Sequence, residues 1–416
     1  MKYDVAVLGA GIIGVSCALY LQAQGKTVVL IDRREAGRET SYGNAGLIQR
    51  EATEPYEFTH TLSFLAKTAT NRWASVRYHP GALPGMAGPL TAYYRNSAGA
   101  AFAKISREYA SIIALSLDTH TQLIKDAGAE WLIGSQGYLT LLRTEKEMEK
   151  IFAKADARKK LGVKHRKLDR AGLKEKEPAL NDAFIGAVHW TDPISIKNPG
   201  GLVQAYAELF TERGGVFCFG DAQSLQQISS DEWQVQAADG TVIRAREAVV
   251  ALGPWSVMLT RRFGYAPPLF FKRGYHMHYA PLPGRTLHHW MIDTERGYVV
   301  CPMQDGLRLT TGAELADVGA PATPRQLEQV ERIARQDFPL GERVESQPWM
   351  GARPCMPDMK PVIGAVPSVP GLWCAFGHGH QGFTLGPATG ELLAALMTGA
   401  KPRIDMAPFA PERRFA

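Results

Sequence analysis

YDVAVLGAGIIGVSCALYLQAQGKTVVLID, residues 3–32, is the stretch from which the fold is read. Residues 3–8 form an apolar, valine-bearing run, as expected of a strand buried in a parallel sheet. The run leads into Gly9-Ala10-Gly11-Ile12-Ile13-Gly14, a G-x-G-x-x-G pattern, then into helical periodicity over 12–24 that stops at Gly25. A second apolar run, 27–31, ends in Asp32. Gly9 permits the tight turn, Gly11 lets a pyrophosphate approach the backbone, and Gly14 lets helix and strand pack closely. The helix start at Ile12 and Ile13 offers N–H groups and a partial positive charge to phosphate. Asp32, followed by Arg33, stands where a carboxylate accepts hydrogen bonds from a ribose, about 20 residues on. An isolated glycine pattern is weak; the whole strand–turn–helix–strand unit ending in an acid specifies a dinucleotide site.

The chain of 416 residues is long enough for two or three domains, with 45% hydrophobic and 21% charged residues, an ordinary globular composition. No apolar run reaches the ~20 residues that span a bilayer. The first apolar run is the nucleotide strand itself, so a signal peptide is rejected. Five cysteines are scattered without a C-x-x-C, which favours reduced thiols in the cytoplasm over a disulfide framework or a zinc site. The net charge is +6, and basic residues cluster at 154–176. That cluster reads as a solvated helical face, with peripheral contact to the inner face of an anionic membrane as the sharper alternative. Nucleic acid is not a partner expected here, because the cluster lacks interleaved aromatics.

The Gly- and Ser-bearing loop at 38–46 follows Asp32 and is placed to wrap a long ligand. Residues 56–79 hold aromatics without clear periodicity, and Pro80, Pro84 and Pro89 are expected to break the chain. HPGALPGMAGP, residues 79–89, reads as a lid, a partner surface or a membrane-touching loop. A single helix is expected from Tyr93 to Ala127, a strand over 137–143 and a charged helix over 145–161. Asn198-Pro199 caps a helix running to Arg213. Short strands follow at 216–219, 233–237, 242–245 and 248–251. AVVALGPW, 248–255, is a second place for backbone to reach the dinucleotide, through Ala251, Gly253 and Trp255. Near the C-terminus a strand at 371–376, a glycine-rich turn and a helix repeat the opening logic.

Taken together these segments resemble the FAD-dependent D-amino acid dehydrogenase branch of the D-amino acid oxidase superfamily, over nearly the whole chain. The resemblance rests on VLGAGIIGVSCALYL with Asp32, ETSYGNAG (39–46), VVALGPWS (249–256), GARPCMPDMKPVIG (351–364) and GLWCAFGHGHQGFTLGPATGELLAAL (371–396). The implied fold is α/β: a Rossmann-like FAD-binding domain of residues 1–60, 195–265 and 345–416, and a second α+β substrate domain of 61–194 and 266–344 built on an antiparallel sheet. FAD would lie extended and non-covalent, its adenine end at residues 9–32 and near the Ala222 backbone. Ser41, Asn44, Ala45, Gly46 and Leu47, with Gly379, Gln381, Gly382, Phe383 and Thr384, would follow the pyrophosphate and flavin.

Arg353 matches the arginine that binds the substrate carboxylate, a task its forked guanidinium suits. The alternative is a structural ion pair, for example to Asp358. Lys272 or Arg273 is a candidate second anchor, Tyr275 and Tyr298 candidate hydroxyl donors, and His380 a candidate pocket residue; packing is the competing reading for each. Cys355 does not match the spacing of flavin-linking cysteines, and no metal site is expected. The implied activity is oxidative deamination of a D-amino acid, or of a D-proline- or hydroxyproline-like imino acid, by hydride transfer to flavin N5. Electrons would pass to a quinone or another non-oxygen acceptor. The competing readings are an O2-using sarcosine- or glycine-oxidase-like enzyme, a nicotinamide-dependent dehydrogenase sharing only the first motif, and a flavin-binding subunit of a larger amine dehydrogenase.

Overall fold

Lys2–Leu8 is a central strand of a seven-stranded sheet. A computed structural model describes residues 2–415. Lys2–Leu8 lies parallel to Val28–Asp32 on one side and to Val242–Val250 on the other, so that Leu8 stands level with both Ile31 and Val250. Val216–Ser229 extends the sheet beyond Val28–Asp32, and Leu372–Phe376 and Val362–Ala365 extend it beyond Val242–Val250. Alternation sorts the strand side chains. Val5, Val7 and Leu30 pack under the helices Ile12–Ala23, Pro199–Glu212 and Gly382–Thr398. Ala6, Leu8, Val29 and Ile31 face the second cluster with Trp233 and Val235. The C-terminal ends of the parallel strands open on the crevice where such sheets bind ligands.

The second sheet has twelve strands and is mostly antiparallel. Its long strand Phe270–Pro281 pairs with Gly306–Thr310 and with Trp349–Cys355. One face buries Tyr275, Met277, Tyr279, Val300, Leu307 and Leu309 with Leu327, Val330 and Ala334 of the helix Arg325–Asp337. The opposite face carries Lys272, Gly274, Trp349 and Arg353, which turn toward the first sheet's crevice.

Several elements differ from the sequence expectation. The prolines do not break the chain. Pro80 opens the short turn Pro80–Ala82, Pro84 sits in the first turn of the helix Leu83–Asn96, where an N–H is dispensable, and Pro89 lies inside that helix. The helix expected over 93–127 is three pieces, ending at Asn96 and resuming as Gly99–Ile113 and Ser116–Asp126. The first break falls where Ser97 turns its hydroxyl back onto the Tyr93 carbonyl and Gly99 takes φ +56°. The strand expected at 216–219 runs on to Ser229 through an irregularity between Asp221 and Gln226, and the segments 242–245 and 248–251 form one strand, Val242–Val250.

The sheets also divide the chain differently from the expected domains. Trp349–Cys355, placed by sequence with the nucleotide unit, hydrogen-bonds into the second sheet, and Leu47–Ile48 does so too. The helices Gly99–Ile113 and Ser116–Asp126, placed with the substrate unit, send Tyr109, Ile112 and Leu123 into the core under Val5. The basic stretch is not one helical face. It comprises the end of Glu145–Arg158, the edge strand His165–Asp169 and the helix Arg170–Lys176, with Asp156 bonded to Lys159 and Lys167. Among the described residues no helix is long and apolar enough to cross a membrane.

Candidate active site

A cavity of about 940 Å³ lies between the two sheets. Gly9, Gly11, Ile12, Ile13, Asp32 and Arg33 line it, joined by Ala222, Ala251, Gly253 and Trp255. Gly9 has φ +105°, and a Cβ there would fall 2.5 Å from the Ala251 carbonyl oxygen. A Cβ on Gly14 would fall 1.7 Å from the Gly9 carbonyl oxygen, so Gly14 is the helix–strand contact and does not itself line the cavity. Gly11 is the N-cap of Ile12–Ala23 and has no side chain of its own to cap that end. The Ile12 N–H donates to Ser41 Oγ at 3.0 Å, tying the 41–47 loop to the helix start. Asp32 accepts from the Ala10 and Arg34 N–H groups at 2.7 and 3.0 Å, and burial raises its pKa above the usual carboxylate value. Arg33 lies 4.7 Å over the Trp255 ring and pairs with Glu39. Ala222 reaches the wall because of the irregularity after Asp221.

Ser41, Asn44, Ala45 and Leu47 continue the wall, and Gly379, Gly382 and Phe383 complete it beside Arg353 and His380. Gly46, Gln381 and Thr384, expected along the ligand, stand behind it instead. Gly46 has φ +72° and takes Asn44 Oδ1 on its N–H at 2.8 Å. Gln381 donates to Gln49 Oε1 at 2.8 Å, and Thr384 Oγ1 accepts from the Gln49 N–H at 3.2 Å. These contacts fasten the helix start Gly382–Thr398 to the loop. His378 does the same inside the turn, bonding Thr389 Oγ1 at 2.9 Å, and burial lowers its pKa to about 3. Sequence reasoning missed Arg308, whose Nη1 donates to the Tyr42 and Asn44 carbonyls at 3.0 and 2.6 Å. Nothing in its local sequence, DGLRLTT, marks it as the clamp on a loop more than 260 residues away.

Arg353 lines the cavity and leans over Gly274, where a Cβ would sit 2.6 Å from its Nη2. Its Nη1 makes only long contacts, 3.4 Å, to the Arg273 and Gly312 carbonyls. Asp358, the alternative partner, is taken by Arg413 at 2.7 and 3.2 Å. Burial pulls the Arg353 pKa below the ordinary arginine value. His380 faces the same space, its ring 4.5 Å from that of Tyr56. Burial, with Arg353 and Lys272 nearby, keeps the His380 pKa well below the usual imidazole value, so the ring is neutral. Tyr56 was not among the expected site residues, because it sits in a stretch without secondary-structure periodicity.

Three expected residues keep their polar groups on the far face: Arg273 lies outside the cavity wall, while Tyr275 and Tyr298 border the cavity without turning their hydroxyls to it. Arg273 is fully buried on the far face of its strand and pairs with Glu314 Oε2 at 2.6 Å. Tyr275, two residues on and therefore on the same face, donates to the same oxygen at 2.7 Å. Tyr298 packs in the far-face core against Phe338, its hydroxyl unpaired among the described residues. Of the two basic candidates it is Lys272 that faces the cavity, its Nζ donating to the Tyr93 hydroxyl at 2.8 Å. Cys355 lies behind the wall, its thiol on the Arg353 carbonyl at 3.5 Å and its pKa raised by burial.

The two glycine turns, the helix start at Gly11, the acid after the second strand and the volume of the cavity fit an extended dinucleotide. The family described as FAD dependent oxidoreductase matches residues 4–396. The chain is 30% identical over 413 residues to a D-amino acid dehydrogenase of Chromohalobacter salexigens, covering 97% of each. It is 29% identical over 427 residues to a D-amino-acid oxidase of Bradyrhizobium diazoefficiens, covering 98% of each. Its fold matches the glycine oxidase of Geobacillus kaustophilus with a TM-score of 0.75 at 20% identity, over 100% of both chains.

Proposed function

We propose, for a chain that belongs to the FAD dependent oxidoreductase family, that the cavity carries out oxidative deamination of a D-amino acid and passes the electrons to an acceptor other than oxygen. The observation that carries the reading is Arg353: a guanidinium set in the cavity wall with no carboxylate partner among the described residues. Such a group is left for a carboxylate that arrives with the substrate. The names of the relatives, D-amino acid dehydrogenase and D-amino-acid oxidase, support the substrate class.

FAD, held by the turns at Gly9–Gly14 and Gly253, the 41–47 loop and the helix start at Gly382, supplies the hydride acceptor when bound. The chain's own residues bind and polarise. Arg353 fixes the carboxylate and so orients the α-carbon. Arg353 and Lys272 together make their end of the cavity locally cationic, which disfavours the ammonium form of the substrate and favours the reactive free amine. Neutral His380, its ring tilted against that of Tyr56, presents a ring nitrogen to the amine without adding charge. A primary amine then yields an imino acid that water hydrolyses to a keto acid and ammonia; a D-proline-like substrate yields a cyclic imine. Cys355, its thiol turned onto the Arg353 carbonyl behind the wall, would leave FAD held without a covalent link.

A quinone is the proposed acceptor and the cytoplasm the proposed location, with the exposed lysines of 159–176 available for peripheral contact with the inner membrane face. Steady-state turnover of D- and L-alanine, followed in parallel by dye or quinone reduction and by oxygen uptake, tests the reading. Turnover of the D-isomer with dye and little oxygen uptake supports it. Stoichiometric oxygen uptake would move the enzyme to the oxidases.

A further inference from the structure

Lys272 and Arg353 are directly opposed across the antiparallel pair formed by Phe270–Pro281 and Trp349–Cys355. Both side chains leave the sheet on the cavity side. Like charges directly opposite one another destabilise a strand pair, and partial burial sharpens the effect. Neither cation has a carboxylate within 4.0 Å among the described residues. Their neighbour Arg273, one residue from Lys272 but on the far face, has its charge met by Glu314. The uncompensated pair is thus confined to the face that meets the ligand.

The two heads part company. Arg353 leans toward Gly274 and the Gly312 carbonyl. Lys272 reaches the other way, its Nζ 4.1 Å from the Tyr93 ring centre and 5.6 Å from that of Phe270. The Tyr93 hydroxyl donates to the Tyr56 carbonyl at 2.6 Å while accepting from Lys272, which fixes the ammonium and leaves it further N–H donors. One carboxylate on Arg353 therefore leaves the Lys272 charge unmet. We infer that Lys272, oriented by Tyr93, is a specificity-determining residue that takes a second carboxylate on the substrate side chain, so that the preferred substrates are acidic D-amino acids. The inference rests on the proposed deamination and names its substrate class.

The test compares kcat/KM for D-glutamate against D-glutamine and D-aspartate against D-asparagine, using the flavin-loaded enzyme and a dye acceptor. Each pair is nearly isosteric and differs in the side-chain charge. The wild-type enzyme is expected to favour the acid. In Lys272→Met the acid-to-amide ratio should fall by on the order of 10- to 100-fold, the scale of one charge-assisted hydrogen bond. Lys272→Arg should retain most of the ratio, and Tyr93→Phe should lower it by a smaller factor than Lys272→Met. A wild-type ratio at or below one, or a ratio unmoved in Lys272→Met, overturns the role of Lys272 while leaving deamination standing. The wild-type ratio decides alone should Lys272→Met fail to hold flavin. Turnover of no D-amino acid at all overturns the deamination itself.

Discussion

Replacing Arg353 by methionine should damage catalysis and strengthen the fold at the same time. The catalytic loss follows from the forked contact with the substrate carboxylate. At 1.5–3 kcal/mol for a hydrogen bond to a charged group, and allowing for non-additivity, about 3–4 kcal/mol is expected. That is roughly a 150- to 1,000-fold fall in kcat/KM. The stability gain follows from what Arg353 lacks in the free enzyme. Its contacts are 3.4 Å to two carbonyls, its pKa is lowered by burial, and it faces Lys272 across the strand pair. Exchanging a poorly compensated buried charge for an apolar side chain stabilises by about 1–3 kcal/mol. For a chain of 416 residues that is a rise in Tm of about 1–3 °C. Thermal melts and steady-state kinetics on the same flavin-loaded preparation read both numbers. Were Arg353 instead half of a structural ion pair, its removal would cost about 3–5 kcal/mol. A lower Tm with kcat/KM changed less than about tenfold would refute the reasoning.

Three further outcomes follow from the geometry. Gly14→Ala puts a methyl 1.7 Å from the Gly9 carbonyl oxygen, so the helix start must lift off its strand; the variant should purify with under about a tenth of wild-type flavin, read by absorbance. Arg308→Met strands the Tyr42 and Asn44 carbonyls and should cost about 2–4 kcal/mol, with faster flavin release in urea; an unmoved urea midpoint would dismiss the clamp. His120 and His378 are buried and neutral, with pKa values lowered to about 4 and about 3, so below their unfolded value of about 6.5 the unfolded chain binds more protons. Stability should therefore be fully present above pH ~6.5 and fall as the pH drops toward 4, by up to about 1.4 kcal/mol per pH unit for each, and His120→Asn should flatten the slope.

Local patterns in the sequence carried the nucleotide half of the site well. Gly9 to Asp32 is one continuous strand–turn–helix–strand unit, so its geometry is dictated by neighbours in the chain. The turn at 377–383 is equally local, and Arg353 was recognisable from its motif. What stayed hidden depends on registers between distant segments. That Lys272 faces the cavity and Arg273 faces away is set by the pairing of residues 270–276 with 349–355, and a shift of one residue would exchange them. Tyr275 went the same way as Arg273. Arg308 clamps the 41–47 loop through backbone carbonyls, which have no sequence signature. Tyr56 lies in no helix or strand and Tyr93 near the end of the helix Leu83–Asn96, and what brings both to the site are contacts with distant segments rather than a local pattern.

The central claim is that a D-amino acid reduces a flavin held by this chain, and anaerobic mixing tests it most directly. The purified protein is combined with D- and L-amino acids, glycine, sarcosine and D-hydroxyproline while the visible absorbance of the oxidised flavin is followed. Bleaching by D-isomers and not by their L-counterparts is the predicted result. Bleaching by sarcosine or glycine alone, or a flavin that no amine bleaches, would contradict it.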